Sequence, residues 1–323
     1  MVLILSDEEI GALTDLQILP DVIETALRKQ AAGEVERPER PHYDIGTGLE
    51  SSQPLGTGLV MPAYIHGTDY FATKLVSLHE DNSDRGLPTL HAQLVLADAQ
   101  TGEPVSFMDA TRITNGRTGC IGGLAARELA NSPVNLAVIG AGAQARWQTR
   151  AIATLTNLDS VTVYSPSESK HDCVSDLQDR GIPATAADTA DAAVRNANVV
   201  VTATTSTTPV FSVDAIQPGT LVIGVGAYAS DMQELEAGVF DRATNVFADV
   251  PEEVIDTGDL AATDLAETDL IPMAALFDDQ AGRESEDDIL VVDSVGSAVF
   301  DVAAASHLYE TATEHEVGTR QSL

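Results

Sequence analysis

The stretch "VNLAVIGAGAQARWQTRAIATL", residues Val134–Leu155, joins a short apolar run to a helix-like segment through Gly140-Ala141-Gly142. Glycines at this spacing between a strand and a helix are typical of dinucleotide binding. The first glycine makes a tight turn, and the second lets the backbone approach a pyrophosphate. Ala145 stands at the third glycine position, where a small residue lets helix and strand pack. The stretch predicts a loop that cradles a pyrophosphate at a helix N-terminus.

The segments around this loop favour nucleotide binding over the alternative that the small residues only pack a helix on a sheet. The motif follows "NLAVIG" and precedes "SVTVYS", both of which read as strands. Beyond Arg117, further apolar runs ("NVVVTAT", "GTLVIGVGA", "TNVFAD", "DILVVDS") alternate with Ala-rich amphipathic stretches. Such alternation predicts βαβ units and a parallel sheet buried on both faces, a Rossmann-type doubly wound α/β fold.

The chain before this region has a different pattern. From Thr89 to Thr114, "TLHAQLVLADA" alternates apolar and polar residues, a turn "QTGEP" follows, and then comes "VSFMDATRIT". This alternation predicts antiparallel strands. A last helical stretch begins near Ala298, and the polar end "EHEVGTRQSL" predicts a frayed tail.

The end of the second strand of the nucleotide-binding region indicates which dinucleotide binds. An acid there would bind the ribose 2′-hydroxyl of NAD. This chain has Tyr164-Ser165-Pro166-Ser167, with Lys170 just beyond. Two hydroxyls and a lysine suit a 2′-phosphate, so NADP is favoured over NAD. The alternative is that Ser165 and Ser167 only cap the next helix.

The charge of the chain is strongly negative. Fifty acids face seventeen bases, which gives a net charge of −33 over 323 residues. Lysines stand only at positions 29, 74 and 170, and the acids are spread along the chain. Because molar salt shortens the Debye length to about 3 Å, such a surface is typical of a protein from a halophile. The alternative is an ordinary acidic protein. Binding to nucleic acid is disfavoured, because no basic patch is present to neutralise phosphates.

Other function classes find little support. The cysteines, Cys120 and Cys173, lie far apart and form no CxxC pair, and the histidines are scattered, so no metal site is expected. No apolar run approaches the roughly 18 residues that a membrane helix needs. The start "MVLILSDEEI" lacks a basic flank and a cleavage site, so a cytoplasmic protein is expected.

Four segments in order carry a family resemblance: "ATKLVSLHEDN", "GLPTLHAQLVLADAQTGEPVSFMDATRITNGRTGC", "IGAGAQA" and "DSVG". Together they resemble the ornithine cyclodeaminase/μ-crystallin family, whose members include cyclodeaminases, archaeal alanine dehydrogenase and reductases of cyclic ketimines. The resemblance implies a homodimer. It also implies that a Rossmann domain, residues 117–295, is inserted in an N-terminal α+β substrate and dimerisation domain, residues 1–116 plus 296–323.

The resemblance also assigns candidate site residues. Arg40 matches the arginine that grips the substrate carboxylate, Lys74 the active-site lysine, and Arg117 an arginine near substrate and cofactor. A guanidinium can hold a carboxylate with two parallel hydrogen bonds, and a lysine of lowered pKa can stabilise charge or move a proton. The expected cofactor-binding residues are Thr118, Gly140, Gly142, Ala143, Gln144, Ser165, Ser167, Lys170, Ala203, Gly226 and Ser294. Without the family, Arg40 reads equally as a solvated surface residue. For Lys74 the less favoured alternative is a salt-bridge residue.

One departure from the family pattern bears on the reaction. The cyclodeaminases carry an aspartate in a stretch G-x-D-x-P-x-K-x-E-L, and this chain has Tyr228 at that place. Another carboxylate of the cyclodeaminases is replaced by Leu59. Because tyrosine is a poor base near neutral pH, an NAD(P)H-dependent imino acid reductase is favoured, with Tyr228 at its site. Two alternatives are an ornithine cyclodeaminase, with Asp231 as its base, and a non-catalytic μ-crystallin-like binding protein.

Overall fold

The computed structural model describes residues 1–49, 51–278 and 280–322. The strands are β1 Val2–Leu5, β2 Val35–Glu36, β3 His42–Ile45, β4 Gly56–Ile65, β5 Tyr70–Leu78, β6 Leu90–Asp98, β7 Pro104–Asp109, β8 Val134–Ile139, β9 Leu158–Tyr164, β10 Ala184–Ala186, β11 Val199–Thr202, β12 Leu221–Gly224, β13 Asn245–Ala248, β14 Ile271–Pro272, β15 Leu290–Asp293 and β16 Thr319–Gln321. The α-helices are α1 Asp7–Leu13, α2 Leu19–Ala31, α3 Thr111–Leu129, α4 Ala143–Leu155, α5 Ser169–Gln178, α6 Ala190–Val194, α7 Ala237–Asp241, α8 Pro251–Val254 and α9 Ala298–Glu314.

The chain divides into two compact units. The first unit comprises Met1–Asp15, Asp21–Arg117 and Ala298–Leu323, and the second comprises Leu16–Pro20 and Thr118–Ser297. The first unit is therefore built from both ends of the chain, and the boundary between the units falls within α3.

The first unit contains a mixed, mostly antiparallel sheet of order β16-β1-β7-β6-β5-β4-β2, with β3 paired to β4. Its alternating sequence places Ala92, Leu94 and Leu96 of β6 on a buried face. Helix α9 packs on β4 and β5. The expectation of a frayed tail is wrong for residues 319–321, because β16 pairs with the edge strand β1 through backbone hydrogen bonds that do not need apolar side chains.

The second unit contains a parallel sheet of order β10-β9-β8-β11-β12-β15-β13-β14. Its central strands carry buried Val, Leu and Ile on both faces because helices cover both sides. The apolar runs singled out in the sequence correspond to β8, β9, β11, β12, β13 and β15, so the predicted fold class is confirmed. Within the described ranges, no helix is both long and apolar enough to cross a membrane.

Candidate active site

Lys74 lies in the interior of the first unit, in the middle of β5. It pairs with Met61 of β4 on one side and Leu94 of β6 on the other, and only 2% of its surface is exposed. Its Nζ donates hydrogen bonds to Oδ2 of Asp301 at 2.5 Å and to Oγ1 of Thr114 at 3.3 Å. The lysine is therefore held at a fixed place in the sheet.

Arg117, near the middle of α3, reaches the same carboxylate. Its Nε donates to Oδ1 of Asp301 at 2.9 Å, and both side chains are buried. The structure thus brings together Lys74 and Arg117 by means of an aspartate that the sequence analysis missed. A signal for Asp301 exists in the sequence, because it is the single charged residue among the apolar residues 298–305.

The cluster of Lys74, Arg117 and Asp301 has strongly coupled charges. Burial lowers the pKa of Lys74 to about 8, because the Asp301 carboxylate opposes the effect only in part and the cations of Arg117 and Arg40 add to it. Burial raises the pKa of Asp301, but the charges of Arg117 and Lys74 outweigh this and hold the pKa below its usual value. Arg40, which precedes β3 and is half-buried, is close enough to act on Lys74 electrostatically. Near neutral pH the cluster holds cationic groups around one carboxylate.

The glycine loop of the second unit lies between β8 and α4. Gly140 has φ of 119°, and a Cβ there would lie 2.4 Å from the carbonyl oxygen of Ala203, so only glycine fits. Gly142 precedes α4 without a side-chain cap, and a Cβ there would meet open space. The helix therefore begins with uncapped N–H groups at an open position, which fits a pyrophosphate.

Two side chains of α4 that were not predicted hold this region: one fixes the loop, and the other ties α4 to α3. Nη1 of Arg146 donates to the carbonyl oxygens of Ala141 at 2.6 Å and Gly142 at 3.2 Å. Nε2 of Gln148 donates to the carbonyl oxygen of Thr118 at 2.8 Å. A basic residue in the first turn of a helix opposes the helix dipole, so Arg146 had a signal in the sequence.

A cluster of hydroxyl groups follows β9. Oγ of Ser165 lies 3.3 Å from that of Ser167 and 3.4 Å from that of Ser169, and the last two are 2.6 Å apart. Lys170 stands beside them, with Nζ donating to the carbonyl oxygen of Ala187 at 3.3 Å. Helix α5 has Glu168 as its N-cap, with no side-chain capping bond. The serines therefore bind mainly one another, which disfavours the capping alternative.

The loops after β11 and β12 meet at Glu234, another residue that the sequence analysis missed. Its Oε1 accepts from the N–H of Thr204 at 2.6 Å and its Oε2 from the N–H of Gly226 at 2.8 Å. A Cβ on Gly226 would lie 2.4 Å from the carbonyl oxygen of Thr204. Two of the expected cofactor residues, Ala203 and Gly226, therefore lie in loops that a buried carboxyl holds in contact.

Further buried acids include Asp249, which follows β13 and binds Ser294, and Asp259, which binds the backbone at Glu234. Oγ of Ser294 donates to Oδ2 of Asp249 at 2.6 Å. Oδ1 of Asp259 accepts from the N–H groups of Glu234 at 2.5 Å and Leu235 at 2.8 Å. Burial raises the pKa of Glu234 to about 7 and that of Asp259 to about 6.

Asp293 belongs to the same cluster of acids. Burial, followed by the charges of Asp259, Asp249 and Glu234, raises its pKa well above the usual value. Among the side chains that the structure describes, Oδ2 of Asp259 and Oδ2 of Asp293 are buried without a hydrogen-bond partner. No group of three or more His, Cys, Asp or Glu residues in the described part of the chain is arranged to hold a metal ion.

Tyr228 follows β12 in the second unit. It is 49% exposed, and Asp231, the alternative base, is exposed three residues further on. Neither residue belongs to the buried group of acids around Asp293.

Residues 2–316 match the ornithine cyclodeaminase/mu-crystallin family. The chain belongs to this family. Among its relatives there, a Delta(1)-pyrroline-2-carboxylate reductase of Bacillus cereus is 33% identical over 296 residues, which cover 87% of this chain and 90% of that protein.

Two solved structures are also similar to this chain over nearly its whole length. The Delta(1)-pyrroline-2-carboxylate reductase of Thermococcus litoralis, in complex with NADH and L-proline, has a TM-score of 0.91 and 28% identity, and the match covers 99% of this chain and 100% of that one. An archaeal alanine dehydrogenase dimer with bound NAD has a TM-score of 0.89 and 30% identity, covering 99% of each chain. The family and the fold are thus established over both units.

Proposed function

We propose that this protein is an NAD(P)H-dependent reductase of α-imino acids. Its substrate is a cyclic ketimine such as pyrroline-2-carboxylate, or the imine of pyruvate that an alanine dehydrogenase reduces. The buried cluster of Lys74, Arg117 and Asp301 carries the proposal, because it offers an anion-binding arginine beside a lysine of lowered pKa. The relatives named as pyrroline-2-carboxylate reductase and alanine dehydrogenase support it.

The roles of the residues follow from their chemistry. Arg40 and the terminal nitrogens of Arg117 hold the substrate carboxylate, since a guanidinium matches a carboxylate with paired charge-assisted hydrogen bonds. A reduced nicotinamide, when bound, supplies the hydride to the imine carbon. Lys74, which is protonated below about pH 8, supplies the proton or stabilises charge at the nitrogen. Tyr228 donates a hydrogen bond to the substrate or stacks on its ring.

The second unit is proposed to bind the dinucleotide. Its pyrophosphate lies at Gly142, Ala143 and Gln144, where a side chain would meet open space at the glycine. We propose NADP as the preferred cofactor, because three serine hydroxyls and Lys170 gather after β9, and the strand ends at Tyr164 and Ser165 without the acid that would bind the ribose 2′-hydroxyl of NAD. Glu168 lies in the same segment, but its side chain is 94% exposed. The relative affinities for NADPH and NADH, measured by quenching of protein fluorescence, test this preference.

We also propose a homodimer formed through the first unit. Side chains of β5 alternate, so that Lys74 is buried while Phe71 and Leu75 are exposed on the other face. Across the sheet, Ile4 pairs with Phe107, and both are exposed. An exposed apolar patch of this kind is typical of an interface, and a second copy of the chain is the proposed occupant. The dimeric alanine dehydrogenase of the same fold supports this choice.

We propose that the protein comes from a halophile, because acids are spread along the whole chain. We also propose that it works in the cytoplasm, because the reaction needs a reduced dinucleotide. The net charge of −33 disfavours nucleic acid as a partner, because it repels phosphates.

A panel of assays in molar KCl tests the function. Oxidation of NADH and NADPH is followed with pyrroline-2-carboxylate, piperideine-2-carboxylate, and pyruvate plus ammonia. We expect turnover of at least one of them. Dinucleotide binding without any turnover would favour the μ-crystallin-like binding protein instead.

A parallel incubation with NAD and L-ornithine tests the cyclodeaminase alternative. That reaction needs a base for the side-chain amine, and the chain has Tyr228, whose unperturbed pKa would be about 10, where cyclodeaminases have an aspartate. We expect no proline and no ammonia. Proline formed at catalytic rates would overturn the reductase assignment.

A further inference from the structure

Asp301 occupies an unfavourable place for a charge. It lies in the first turn of α9, it is 1% exposed, and its neighbours Phe300 and Val302 are buried apolar residues. A carboxylate in such surroundings is stable only when it is paired and hydrogen-bonded. Asp301 meets this condition by giving one oxygen to Lys74 and the other to Arg117.

The geometry defines what Asp301 can do. Each of its oxygens already accepts a bond from a cation, and its charge would repel the carboxylate of an imino acid. Asp301 is therefore not a group that binds the substrate carboxylate. Its bond to Nε of Arg117 fixes the plane of the guanidinium, and its bond to Nζ of Lys74 fixes one of the three donor directions of the ammonium.

We propose that Asp301 is a positioning residue that holds Arg117 and Lys74 in the orientation in which they receive the imino acid, and that its carboxylate stabilises the ammonium group of Lys74. The proposal rests on the proposed function for its link to catalysis. Its structural half, control of Lys74 by Asp301, stands independently of any substrate.

The groups around Lys74 indicate the direction of the effect. Burial, Arg117 and Arg40 all lower the pKa of Lys74, and only the charge and hydrogen bond of Asp301 raise it. Thr114 contributes a neutral hydroxyl at 3.3 Å. Removal of the Asp301 charge should therefore lower the pKa of Lys74 below about 8, and a larger share of the enzyme would lose its proton near neutral pH.

The test uses Asp301→Asn, with Asp301→Glu as a second variant that keeps the charge but displaces it. Glu310→Gln, an exposed acid on the same helix, is the matched control. For Asp301→Asn we expect the KM for the imino acid to rise about ten- to a hundredfold, the value of one charge-assisted hydrogen bond. We expect the alkaline limb of kcat/KM to move to lower pH by about one unit or more. Affinity for NADPH should stay within about twofold.

A second readout does not depend on activity. The chain has lysines only at positions 29, 74 and 170, so a lysine side-chain NMR spectrum contains few signals and can be assigned with Lys29→Arg and Lys170→Arg. We expect the Lys74 signal to titrate near pH 8 in the parent and at lower pH in Asp301→Asn. The Glu310→Gln spectrum should match that of the parent.

Either of two results for a folded Asp301→Asn protein would overturn the proposal: an unchanged Lys74 titration or an unchanged KM. If that variant does not fold, Asp301→Glu is judged by KM, because it keeps the charge that acts on Lys74 and only displaces it. An unchanged KM in Asp301→Glu would then overturn the positioning role. Should the parent turn over no imino acid, the proposed function fails, whereas the lysine titration still decides whether Asp301 controls Lys74.

Discussion

Gly140 and Gly142 lie two residues apart in one loop and differ in what a side chain would meet there. A Cβ at Gly140 would collide with the Ala203 backbone, whereas one at Gly142 would meet open space. The first glycine is needed by the fold itself. The second glycine borders open space that the polypeptide does not fill. A substitution at Gly140 should therefore impair folding, whereas one at Gly142 should impair binding.

We predict that Gly142→Val abolishes dinucleotide binding and leaves the fold intact, because the branched side chain would occupy the place of the pyrophosphate. Fluorescence titration with NADPH measures the loss, and circular dichroism with a melting curve checks the fold. Gly140→Val is the contrasting variant, which we expect to be unstable. Unchanged affinity of Gly142→Val for NADPH would show that the loop serves packing alone.

Arg40 is predicted to bind the substrate carboxylate. Arg40→Ala should raise the KM for the imino acid about ten- to a hundredfold, since a charge-assisted hydrogen bond contributes about 1.5–3 kcal/mol. NADPH affinity should not change. Arg37→Ala, in the same Pro-rich segment, is the matched control. A KM within twofold of the parent value would mean that Arg40 is a surface residue.

At the scale of elements, the carboxyl ends of β12, β13 and β15 gather buried acids. A Cβ on Gly224 would lie 3.7 Å from both Oδ2 of Asp259 and Oδ1 of Asp293, so these two carboxyls converge on one point. Because the pKa of Asp293 is raised well above its usual value, the folded state keeps a proton there at pH values where the unfolded chain has lost it. This contribution to stability is greatest below the unfolded pKa and is lost as the pH rises through the folded pKa.

We therefore predict that Asp293→Asn, which mimics the protonated form, melts at a higher temperature than the parent at about pH 8. The difference should shrink as the pH falls and vanish below about pH 3, where the aspartate of the unfolded chain, with a pKa of about 3.9, is also protonated. Each unit of pKa elevation corresponds to about 1.4 kcal/mol. The control is Asp159→Asn, an exposed acid on β9. A lower melting temperature for Asp293→Asn at high pH would contradict this account.

The sequence predicted those strands whose buried residues leave a clear apolar pattern. Strands β8, β11, β12 and β15 were recognisable because a parallel sheet covered on both faces needs unbroken apolar runs. Strand β16 was missed, since an edge strand held by backbone bonds leaves Thr319, Arg320 and Gln321 exposed and carries no periodic signal.

The candidate site was predictable in part for similar physical reasons. Lys74 and Arg117 were found through the family resemblance. Asp301, Glu234 and Asp249 were missed, because their roles depend on contacts between residues far apart in the chain. The serines after β9 were noticed as two hydroxyls, and Ser169 joins them only once α5 has formed.

For the whole molecule, the exposed apolar residues of the first sheet predict assembly. We expect the parent to elute as a dimer in light-scattering chromatography and Leu75→Asp to shift it toward monomer, because a buried charge on each side of the interface is costly. Leu87→Asp, an exposed leucine outside the strands, is the control. A dimer of unchanged stability in Leu75→Asp would place the interface elsewhere.

The net charge of −33 predicts how the whole protein responds to salt. Raising KCl from about 0.1 M to above 1 M shortens the Debye length from about 10 Å to about 3 Å, so repulsion between the surface acids should fall and the melting temperature should rise. Sucrose, which is uncharged, is the control for general exclusion effects. A melting temperature that does not respond to KCl would contradict a surface adapted to high salt.

The two faces of strand β5 have different proposed roles, so mutations on them should be harmful for different reasons. Ala72 and Lys74 face the buried side, whereas Phe71 and Leu75 are exposed on the proposed dimer face. Tolerance to mutation should therefore alternate along the strand, with activity lost at one set of positions and assembly lost at the other. Few substitutions in β5 should therefore be neutral. An engineer who seeks a new substrate preference would do better to change the loops around the sheet than the strand itself.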